Sequence, residues 1–533
     1  MTKYIDIKTI HEKHKLGLLD EAESDSLKLL SKTPDNSELL HSLGIIYTQK
    51  KDFGKATKYL ESALNQNPDN PSIALNLSNV LKIQGYLEKA KEILMETSAK
   101  HPNYPPAFNN LGIIYYLQKK LAPAINAYNK AIELFPEYVD AYYNLGLALY
   151  KNNELDNSIK IFNKLLLINP DHLAARFHLA CVFMEQKDNN NAIKEFLTIE
   201  LDQPFHFETQ TNLASCFLNQ GKLELSKKHY FKAHELNKDD TQVLLNLGII
   251  NMHQNNLNGA INYYQKAISE NPNFFDAHNN VAVAFLANQQ TAYALKHFKE
   301  AYRIKPQNKE LEYTIQVLSE NKNLPAAPAE YIKSLFDSYA KHYDSHLINT
   351  LEYKIPIIFE KSLGKILNTN KKLNILDVGC GTGLCSEPFK PIAKKLVGVD
   401  LSNKMLAVAA QKKIYDDLIN KDTEKFLKET NNSFDLILAG DAFIYTGFLD
   451  NIFNLISSTL NTHGLFVFNT EINKESDFSI NISGRFSHKR TYLDKLAEIN
   501  NFAIISYEAC FTRMQNNKPV IGHVYVLQKG LSC

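Results

Sequence analysis

The segment "ILDVGCGTGL", residues 375–384, decides the fold of the C-terminal region. Apolar residues flank Asp377 and lead directly into three glycines, Gly379, Gly381 and Gly383. A short apolar run that ends in a glycine turn predicts a strand that presents its backbone to a nucleotide-like ligand, because glycine permits a close approach. The spacing is GxGxG, whereas the dinucleotide fingerprint GxGxxG needs a further glycine where Leu384 stands. The turn alone therefore predicts a cofactor without identifying it.

Short apolar runs alternate with helical stretches from residue 371 onward. This alternation predicts a mostly parallel α/β sheet with helices on both faces. The predicted strands are 374–379, 396–401, 416–420, 434–440, 464–470, 502–510 and 520–528. The last two strands leave no room for a crossover helix between them, so we expect an antiparallel hairpin at one end of the sheet.

Acidic residues follow three of these strands. Asp400 ends the second strand in "LVGVDLS", where a carboxylate can accept both hydroxyls of a ribose, as it does in dinucleotide and adenosylmethionine sites alike. Asp422 in "LINKDTEKF" distinguishes an adenosylmethionine site from a dinucleotide site, because a carboxylate there can accept a hydrogen bond from an adenine amino group. The fourth strand, in "SFDLILAGDAFIY", ends at Asp441. This combination resembles a class I S-adenosylmethionine-dependent methyltransferase, with a Rossmann-like seven-stranded sheet, over most of residues 330–533.

The resemblance implies S-adenosylmethionine as cofactor and S-adenosylhomocysteine as product. The implied cofactor-binding residues are Asp377, Gly379, Gly381, Gly383, Asp400, Leu401, Asp422, Tyr339 and Tyr343. Asp377 either orders the glycine turn or meets the ammonium group of the cofactor. Tyr339 and Tyr343 either fold over the cofactor as a lid or pack their helix onto the domain.

The predicted catalytic residues are few, because methyl transfer is an in-line displacement that the enzyme mainly positions and desolvates. A base is needed only for a protonated acceptor. Asp441 at the reacting end is one candidate, and His488 in "GRFSHKR" is another unless it is a surface histidine; Arg485 is a possible anion contact. We expect His346 on a helix face. The sequence has neither an NPPY motif nor paired cysteines, which disfavours nucleic-acid substrates.

A 34-residue period occupies the chain upstream, in register from residue 37 to residue 308. Small residues recur at the eighth position of each block: Gly44, Ser78, Gly112, Gly146, Ala180, Ala214, Gly248 and Ala282. The pattern predicts one helical hairpin per block, in which small residues let the two helices approach. It resembles the tetratricopeptide repeat. The C-terminal region resembles a group of predicted methyltransferases that carry such repeats at the N-terminus, in the segments "LFDSYAKHYDSHL" (335–347), "DAFIYTGFLDNIF" (441–453) and "GRFSHKRTYLDKLA" (484–497).

Four segments are predicted: a degenerate N-terminal repeat or cap at 1–36, eight repeats at 37–308, a capping helix and linker at 309–329, and the methyltransferase domain at 330–533. Within the linker, "SENKNLPAAPAEYI" (319–332) reads as a short semi-stiff connection.

Asparagine recurs at the sixth position of the blocks, although it is a mediocre helix former. The column contains Asn76, Asn110, Asn144, Asn212, Asn246 and Asn280. The repeat family implies that this column lines a concave groove, and it resembles the ladder of the O-linked N-acetylglucosamine transferase superhelix. An asparagine can pair with the backbone of an extended peptide whatever its side chains. Alternatively, the asparagines tie neighbouring repeats together or merely suit the repeat consensus.

Composition excludes several classes of protein. The 59 basic and 58 acidic side chains give no support to a nucleic-acid or membrane-surface partner. The six cysteines form no CxxC pair, so neither a metal site nor a disulfide framework is expected. No apolar segment reaches the length of a signal peptide core or a membrane span. We therefore expect a soluble cytoplasmic protein, and its oligomeric state stays open.

Three functions remain. The first is a methyltransferase whose repeats recruit a protein or peptide substrate to the C-terminal site. The second is a small-molecule methyltransferase whose repeats serve partner binding or oligomerisation. The third is a non-catalytic scaffold, which the intact Gly379, Asp400 and Asp422 argue against.

Overall fold

A computed structural model describes residues 6–319, 324–367, 371–515 and 518–530. Part of the predicted linker (320–323) and Cys533 lie outside the described residues. The chain forms two compact units, Met1–Ile250 and Asn251–Cys533, and each is described by itself.

The first unit is built from helical hairpins. Its helices are α1 Ile7–Lys15, α2 Leu19–Leu30, α3 Ser37–Gln49, α4 Phe53–Gln66, α5 Pro71–Ile83, α6 Leu87–Lys100, α7 Pro105–Leu117, α8 Leu121–Leu134, α9 Val139–Lys151, α10 Leu155–Ile168, α11 Leu173–Glu185, α12 Asn189–Asp202, α13 Phe207–Asn219 and α14 Leu223–Leu236. α15, Thr241–His253, spans the boundary of the units. The predicted repeat fold is confirmed, and α1 and α2 form a further pair ahead of residue 37.

Close packing inside each hairpin explains the column of small residues. A Cβ on Gly146 of α9 would lie 2.6 Å from Cε1 of Phe162 on α10, and one on Gly112 of α7 would lie 2.5 Å from Cε1 of Tyr128 on α8. No side chain fits at such distances. A small residue on the second helix of this hairpin adds a hydrogen bond, since Ser158 Oγ on α10 donates to the Gly146 carbonyl at 2.8 Å.

The second unit begins with the last hairpins and continues into shorter helices. These are α16 Leu257–Glu270, α17 Phe275–Ala287, α18 Thr291–Ile304, α19 Lys309–Leu318, α20 Ala329–Tyr339, a 3₁₀ turn Ala340–His342, α21 Tyr343–Asn349 and α22 Ile355–Gly364. α19 is the predicted capping helix. Its Tyr313 is 1% exposed and donates to the Gly484 carbonyl at 2.8 Å. The described end of the linker pairs with the domain, since the Ala327 amide donates to the Tyr445 carbonyl at 2.9 Å.

The sheet confirms the predicted Rossmann-like fold. Its strands are β1 Leu373–Val378, β2 Ala393–Asp400, β3 Asp417–Asn420, β4 Phe434–Ala439, β5 Leu460–Asn473, β6 Phe478–Ile480, β7 Phe486–Lys489, β8 Phe502–Gln515 and β9 Lys518–Lys529. The parallel order is β3-β2-β1-β4-β5. β9 runs antiparallel to β5 and forms the expected hairpin with β8.

Helices connect the strands and cover the sheet: α23 Asn403–Gln411, α24 Thr423–Glu429, α25 Asp450–Thr459 and α26 Arg490–Ile499. The short strands β6 and β7 were not predicted. β7 pairs in parallel with the last three residues of β5, which continues beyond the predicted end at 470. This extension places residues of β7 beside the carboxyl end of the sheet.

No described helix combines the length and the apolar character that crossing a membrane requires.

Candidate active site

A cavity of about 320 Å³ opens at the carboxyl ends of β1, β2 and β4 in the second unit. Nine of the twelve predicted cofactor-binding and catalytic residues line it: Tyr339, Tyr343, Gly379, Gly381, Asp400, Leu401, Asp422, Asp441 and Arg485. Asp377, Gly383 and His488 lie outside its lining. Ligands of open α/β sheets bind at this edge, because the parallel strands all end there.

The glycine turn adopts backbone conformations that favour glycine. φ is +65° at Gly379, +54° at Gly381 and +90° at Gly383. A Cβ at Gly381 would meet nothing within 4 Å, so its backbone faces open space. A Cβ at Gly383 would instead lie 2.9 Å from the ring of Tyr415, so this glycine makes room for protein and not for a cofactor.

Asp377 orders the turn from beneath. Its Oδ2 accepts hydrogen bonds from Ser386 Oγ at 2.6 Å and from the Tyr415 hydroxyl at 2.7 Å. Burial raises the pKa of Asp377 to about 6, although these two bonds oppose the shift. Of the two predicted roles, this geometry favours ordering the turn over contact with the cofactor.

Asp400 links the turn to β2. Its Oδ2 accepts from the Gly381 amide at 2.9 Å, and its Oδ1 accepts from the Ser402 amide at 2.8 Å. Burial raises the pKa of this carboxyl, and the two amide bonds oppose that shift. A carboxylate has about four acceptor sites, so Asp400 keeps capacity for ligand hydroxyls.

Asp422 caps the amino end of α24. Its Oδ1 accepts from the Lys425 amide at 3.0 Å, and the side chain is exposed on the cavity wall. A cap uses one carboxylate oxygen, so the second oxygen remains for a ligand donor.

Tyr339 and Tyr343 show the predicted packing, and their role as a lid stays a prediction. Tyr339 and Tyr343 line the cavity and also pack against each other, with ring centroids 5.3 Å apart. Two acidic residues that the sequence interpretation missed fasten their helices to the domain. Asp337 accepts from Ser402 Oγ at 2.5 Å, and Asp344 accepts from Thr382 Oγ1. Both lie inside "LFDSYAKHYDSHL", where only the aromatic spacing had drawn attention.

Asp441 stands at the end of β4 in a left-handed conformation, with φ +53°. Its amide donates to Asn469 Oδ1 at 2.8 Å and its Oδ1 accepts from Asn469 Nδ2 at 2.6 Å. Its Oδ2 accepts from Arg513 Nη1 at 3.2 Å, and the other end of that guanidinium is paired with Glu471. A non-glycine residue in this conformation is uncommon and is often functional.

Arg513 was missed because its position on β8 lies 72 residues from Asp441 along the chain. It is 1% exposed and lines the cavity. It also lies beyond the predicted end of this strand at residue 510, so the strand pattern did not mark it.

His488 requires a correction, because its position does not suit a base. It is fully buried, its Nε2 donates to the Gly447 carbonyl at 3.0 Å, and its Nδ1 accepts from Thr470 Oγ1. Burial lowers its pKa to about 4. We therefore assign His488 to the packing of β7 against β5. His346, expected on a helix face, lies on α21, and it also lines the cavity.

The asparagine column makes contacts between neighbouring repeats of the first unit. Nδ2 of Asn110 donates to Asn79 at 2.9 Å, and Nδ2 of Asn144 donates to Asn109 at 3.0 Å. The further contacts are Asn76 with His41, Asn212 with Cys181 Sγ and Asn246 with the Tyr230 hydroxyl. Asn280 lies half-buried on α17 of the second unit. The alternative that these residues tie repeats together thus has direct geometric support.

Comparison with known families agrees with both parts of the chain. Residues 376–468 match a family model described as a methyltransferase domain. Models of the tetratricopeptide repeat match residues 47–111, 112–153, 139–172, 241–274 and 263–296.

Three curated relatives resemble the C-terminal region. A probable S-adenosylmethionine-dependent methyltransferase of Saccharomyces cerevisiae is 26% identical over 176 residues, which are 31% of this chain and 59% of the relative. The mitochondrial ubiquinone biosynthesis O-methyltransferase of Mus musculus is 28% identical, covering 26% of this chain and 40% of the relative. The malonyl-[acyl-carrier protein] O-methyltransferase 1 of Ilyobacter polytropus is 28% identical, and the match covers 33% of this chain and 65% of the relative.

The chain spans less than two thirds of each of these relatives. The strand order, the glycine turn and the matched models agree, however, on what the two parts are. The chain carries tetratricopeptide repeats in its N-terminal region and a class I S-adenosylmethionine-dependent methyltransferase domain in its C-terminal region.

Proposed function

We propose that the protein transfers a methyl group from S-adenosylmethionine to a protein or peptide that its repeats recruit. The observation that carries the methyl transfer is the convergence of Gly381, Asp400 and Asp422 on one cavity. These groups suit the cofactor because the open backbone at Gly381 leaves room for it and the two carboxylates offer acceptors to its ribose and adenine donors.

When bound, S-adenosylmethionine supplies a methyl group already activated by its sulfonium. The protein positions the reactants and excludes water. Asp400, which fixes the Gly381 amide, would accept the ribose hydroxyls, and the free oxygen of Asp422 would accept from the adenine amine. Tyr339 and Tyr343 cover the cavity, and removal of water strengthens the electrostatic interactions inside it.

The proposed recruitment rests on the asparagine column. Nδ2 of Asn110 and Asn144 contacts the neighbouring repeat, and this orients the side-chain amide. The Oδ1 atom of the same group is an acceptor for a peptide amide. One side chain can thus tie repeats together and bind a peptide backbone, so the two interpretations of the column are compatible.

A small-molecule acceptor is the second candidate. Two of the relatives described above carry O-methyltransferase names, and the cavity walls include apolar residues such as Ile332, Phe336 and Ile444. In this case the repeats bind a partner protein and play no part in selecting the acceptor.

The test uses the purified full chain, methyl-labelled S-adenosylmethionine and a lysate of source cells that lack the protein, with Asp400→Ala as the inactive control. The lysate is separated into protein, RNA and small-molecule fractions. Label in a discrete protein band that is absent with Asp400→Ala supports the proposal. Label confined to small molecules contradicts recruitment of a protein substrate and favours the second candidate.

A triple variant tests the groove. We expect the change of Asn110, Asn144 and Asn246 to alanine to reduce labelling of the protein band. The matched control changes three exposed asparagines on the second helices of hairpins, Asn65, Asn129 and Asn163. Equal labelling by both triple variants, with unchanged helix content, would contradict a role of the column in recruitment.

A further inference from the structure

Two guanidinium groups line the cavity at the end away from Asp422. Arg485 precedes β7 and is half-buried. Its Nη1 donates to Gln515 Oε1 at 3.4 Å, and it lies beside Tyr445. Within the described part of the chain it forms no ion pair of 4 Å or less. Asp441 and Glu471 act on its charge only from beyond ion-pair distance. A partly buried cation without a carboxylate in direct contact favours an anionic ligand group.

Arg513 offers a second donor to the same end of the cavity. Asp441 and Glu471 take its two terminal nitrogens. Its Nε is buried and has no hydrogen-bond acceptor among the described residues. A guanidinium N–H that is buried without an acceptor costs free energy, so a ligand oxygen at this position would satisfy it.

The order of the strands separates these arginines from the cofactor. Asp422 follows β3, Asp400 ends β2 and the glycine turn follows β1, so the cofactor residues occupy one half of the sheet edge. Arg485 directly precedes β7 and Arg513 lies on β8, so both come from strands beyond β4 and Asp441. The anion that they would bind therefore lies on the acceptor side of the reacting methyl group.

We propose that the methyl acceptor is a carboxylate, bound by Arg485 and by Nε of Arg513, and that the product is its methyl ester. This inference rests on the proposed methyl transfer, and it holds for a carboxyl side chain of a protein as well as for a small acid. Arg485 otherwise lines the cavity without a carboxylate in direct contact, and Nε of Arg513 has no acceptor among the described residues.

The chemistry balances without a base. One carboxylate oxygen attacks the methyl carbon, the carbon–sulfur bond breaks, and its electron pair stays on sulfur to give S-adenosylhomocysteine. No proton moves, which agrees with the position of His488 away from the cavity. An arginine that binds one carboxylate oxygen leaves the other oxygen available to attack. The ester is uncharged, so the arginines lose their ionic partner after transfer and the product is released more easily.

The test uses butyrate as a probe, because it matches the side chain of glutamate and a short free acid alike, with butyramide as its uncharged counterpart. Full-chain protein saturated with S-adenosylhomocysteine is titrated with each. We expect wild-type protein to bind butyrate at least about tenfold more tightly than butyramide, a difference of about 1.4 kcal/mol. The preference should disappear in Arg485→Gln and persist in Arg490→Gln, which changes an exposed arginine outside the cavity.

Two results would overturn the assignment. One is the lack of a preference for butyrate that depends on Arg485, seen either as equal affinity of wild-type protein for butyrate and butyramide or as a preference for butyrate that remains in Arg485→Gln. The other is a loss of affinity for S-adenosylhomocysteine of more than about tenfold in Arg485→Gln, because the arginine would then bind the carboxylate of the cofactor itself. We use Arg485 for the variants because removal of Arg513 would leave two buried carboxylates unpaired and endanger folding.

A chemical readout complements the titration. Methyl esters release methanol in alkali, whereas methylated nitrogen and carbon do not. We expect alkali to release the label from the product of the lysate assay, and alkali-stable label would contradict a carboxylate acceptor. Failure of wild-type protein to bind S-adenosylhomocysteine would instead contradict the proposed methyl transfer, so the two failures are distinguishable.

Discussion

Asp400→Asn should weaken binding of S-adenosylhomocysteine more than any other single isosteric change in the domain. The Asp400 carboxylate accepts from the Gly381 and Ser402 amides at 2.9 Å and 2.8 Å, one on each oxygen. Asparagine puts an NH₂ group opposite one of these donors and removes the charge that strengthens ribose contacts. Loss of one charge-assisted bond and weakening of a second cost about 3 kcal/mol, which corresponds to a more than hundredfold weaker affinity.

Isothermal titration of full-length protein with S-adenosylhomocysteine measures this loss, and pH adds a second signature. Burial raises the pKa of Asp400, and ligand binding needs its ionised form. Wild-type affinity should therefore fall as the pH is lowered from neutral, whereas the affinity of the asparagine variant should change little. Asp417→Asn is the matched control, because Asp417 is exposed and paired with Lys395. Affinity of Asp400→Asn within about threefold of wild type would refute the reasoning.

Two further predictions concern stability. Burial raises the pKa of Asp377 from 3.8 to about 6 in the folded protein. As the pH rises, the carboxyl therefore ionises in the unfolded chain at a lower pH than in the folded protein. The free energy of unfolding should fall by about 3 kcal/mol between about pH 4 and pH 6. Asp377→Asn should therefore slow hydrogen exchange of the β1 amides at about pH 7.5 but not at about pH 4. An equal effect at the two pH values would contradict the raised pKa of Asp377. Gly146→Ala places a methyl group against Phe162 and should destabilise its hairpin by about 1–3 kcal/mol relative to Gly54→Ala, whose new methyl group meets only Asp52 at 3.8 Å. Hydrogen exchange of both hairpins measures the difference, and equal effects of the two variants would exclude overpacking.

The repeat region was predictable from the sequence because its packing recurs. Each close approach of the Gly146–Phe162 kind leaves a small residue and a large residue sixteen positions apart, and eight blocks repeat the pattern without a gap. The cofactor half of the site was predictable for a different reason. Asp400 is the last residue of β2, and Gly381 and Asp422 lie within three residues of the ends of β1 and β3, so finding the strand also finds the residue.

The asparagine column shows where such periodic reasoning stops. Its regular spacing correctly indicated a shared position in every repeat, but spacing cannot tell a neighbour in the fold from a ligand. Only the structure shows that Asn110 and Asn144 donate to Asn79 and Asn109 of the adjacent repeats.

The acceptor half of the site has no local signature, because tertiary pairing assembles it. Arg513 reaches Asp441 from a strand at the far end of the chain, and Arg485 comes to the cavity only because β5 continues past its predicted end and pairs with β7. Short strands of this kind carry too few residues to show a period.

The same tertiary assembly explains why His488 was misjudged. Because β7 pairs with β5, the ring of His488 contacts Thr470 and the Gly447 carbonyl, whereas Arg485, three residues earlier, reaches the cavity. The residues that we propose to select the methyl acceptor therefore meet only in the completed sheet, and substitutions in the extension of β5 should alter the choice of acceptor before they alter binding of the cofactor.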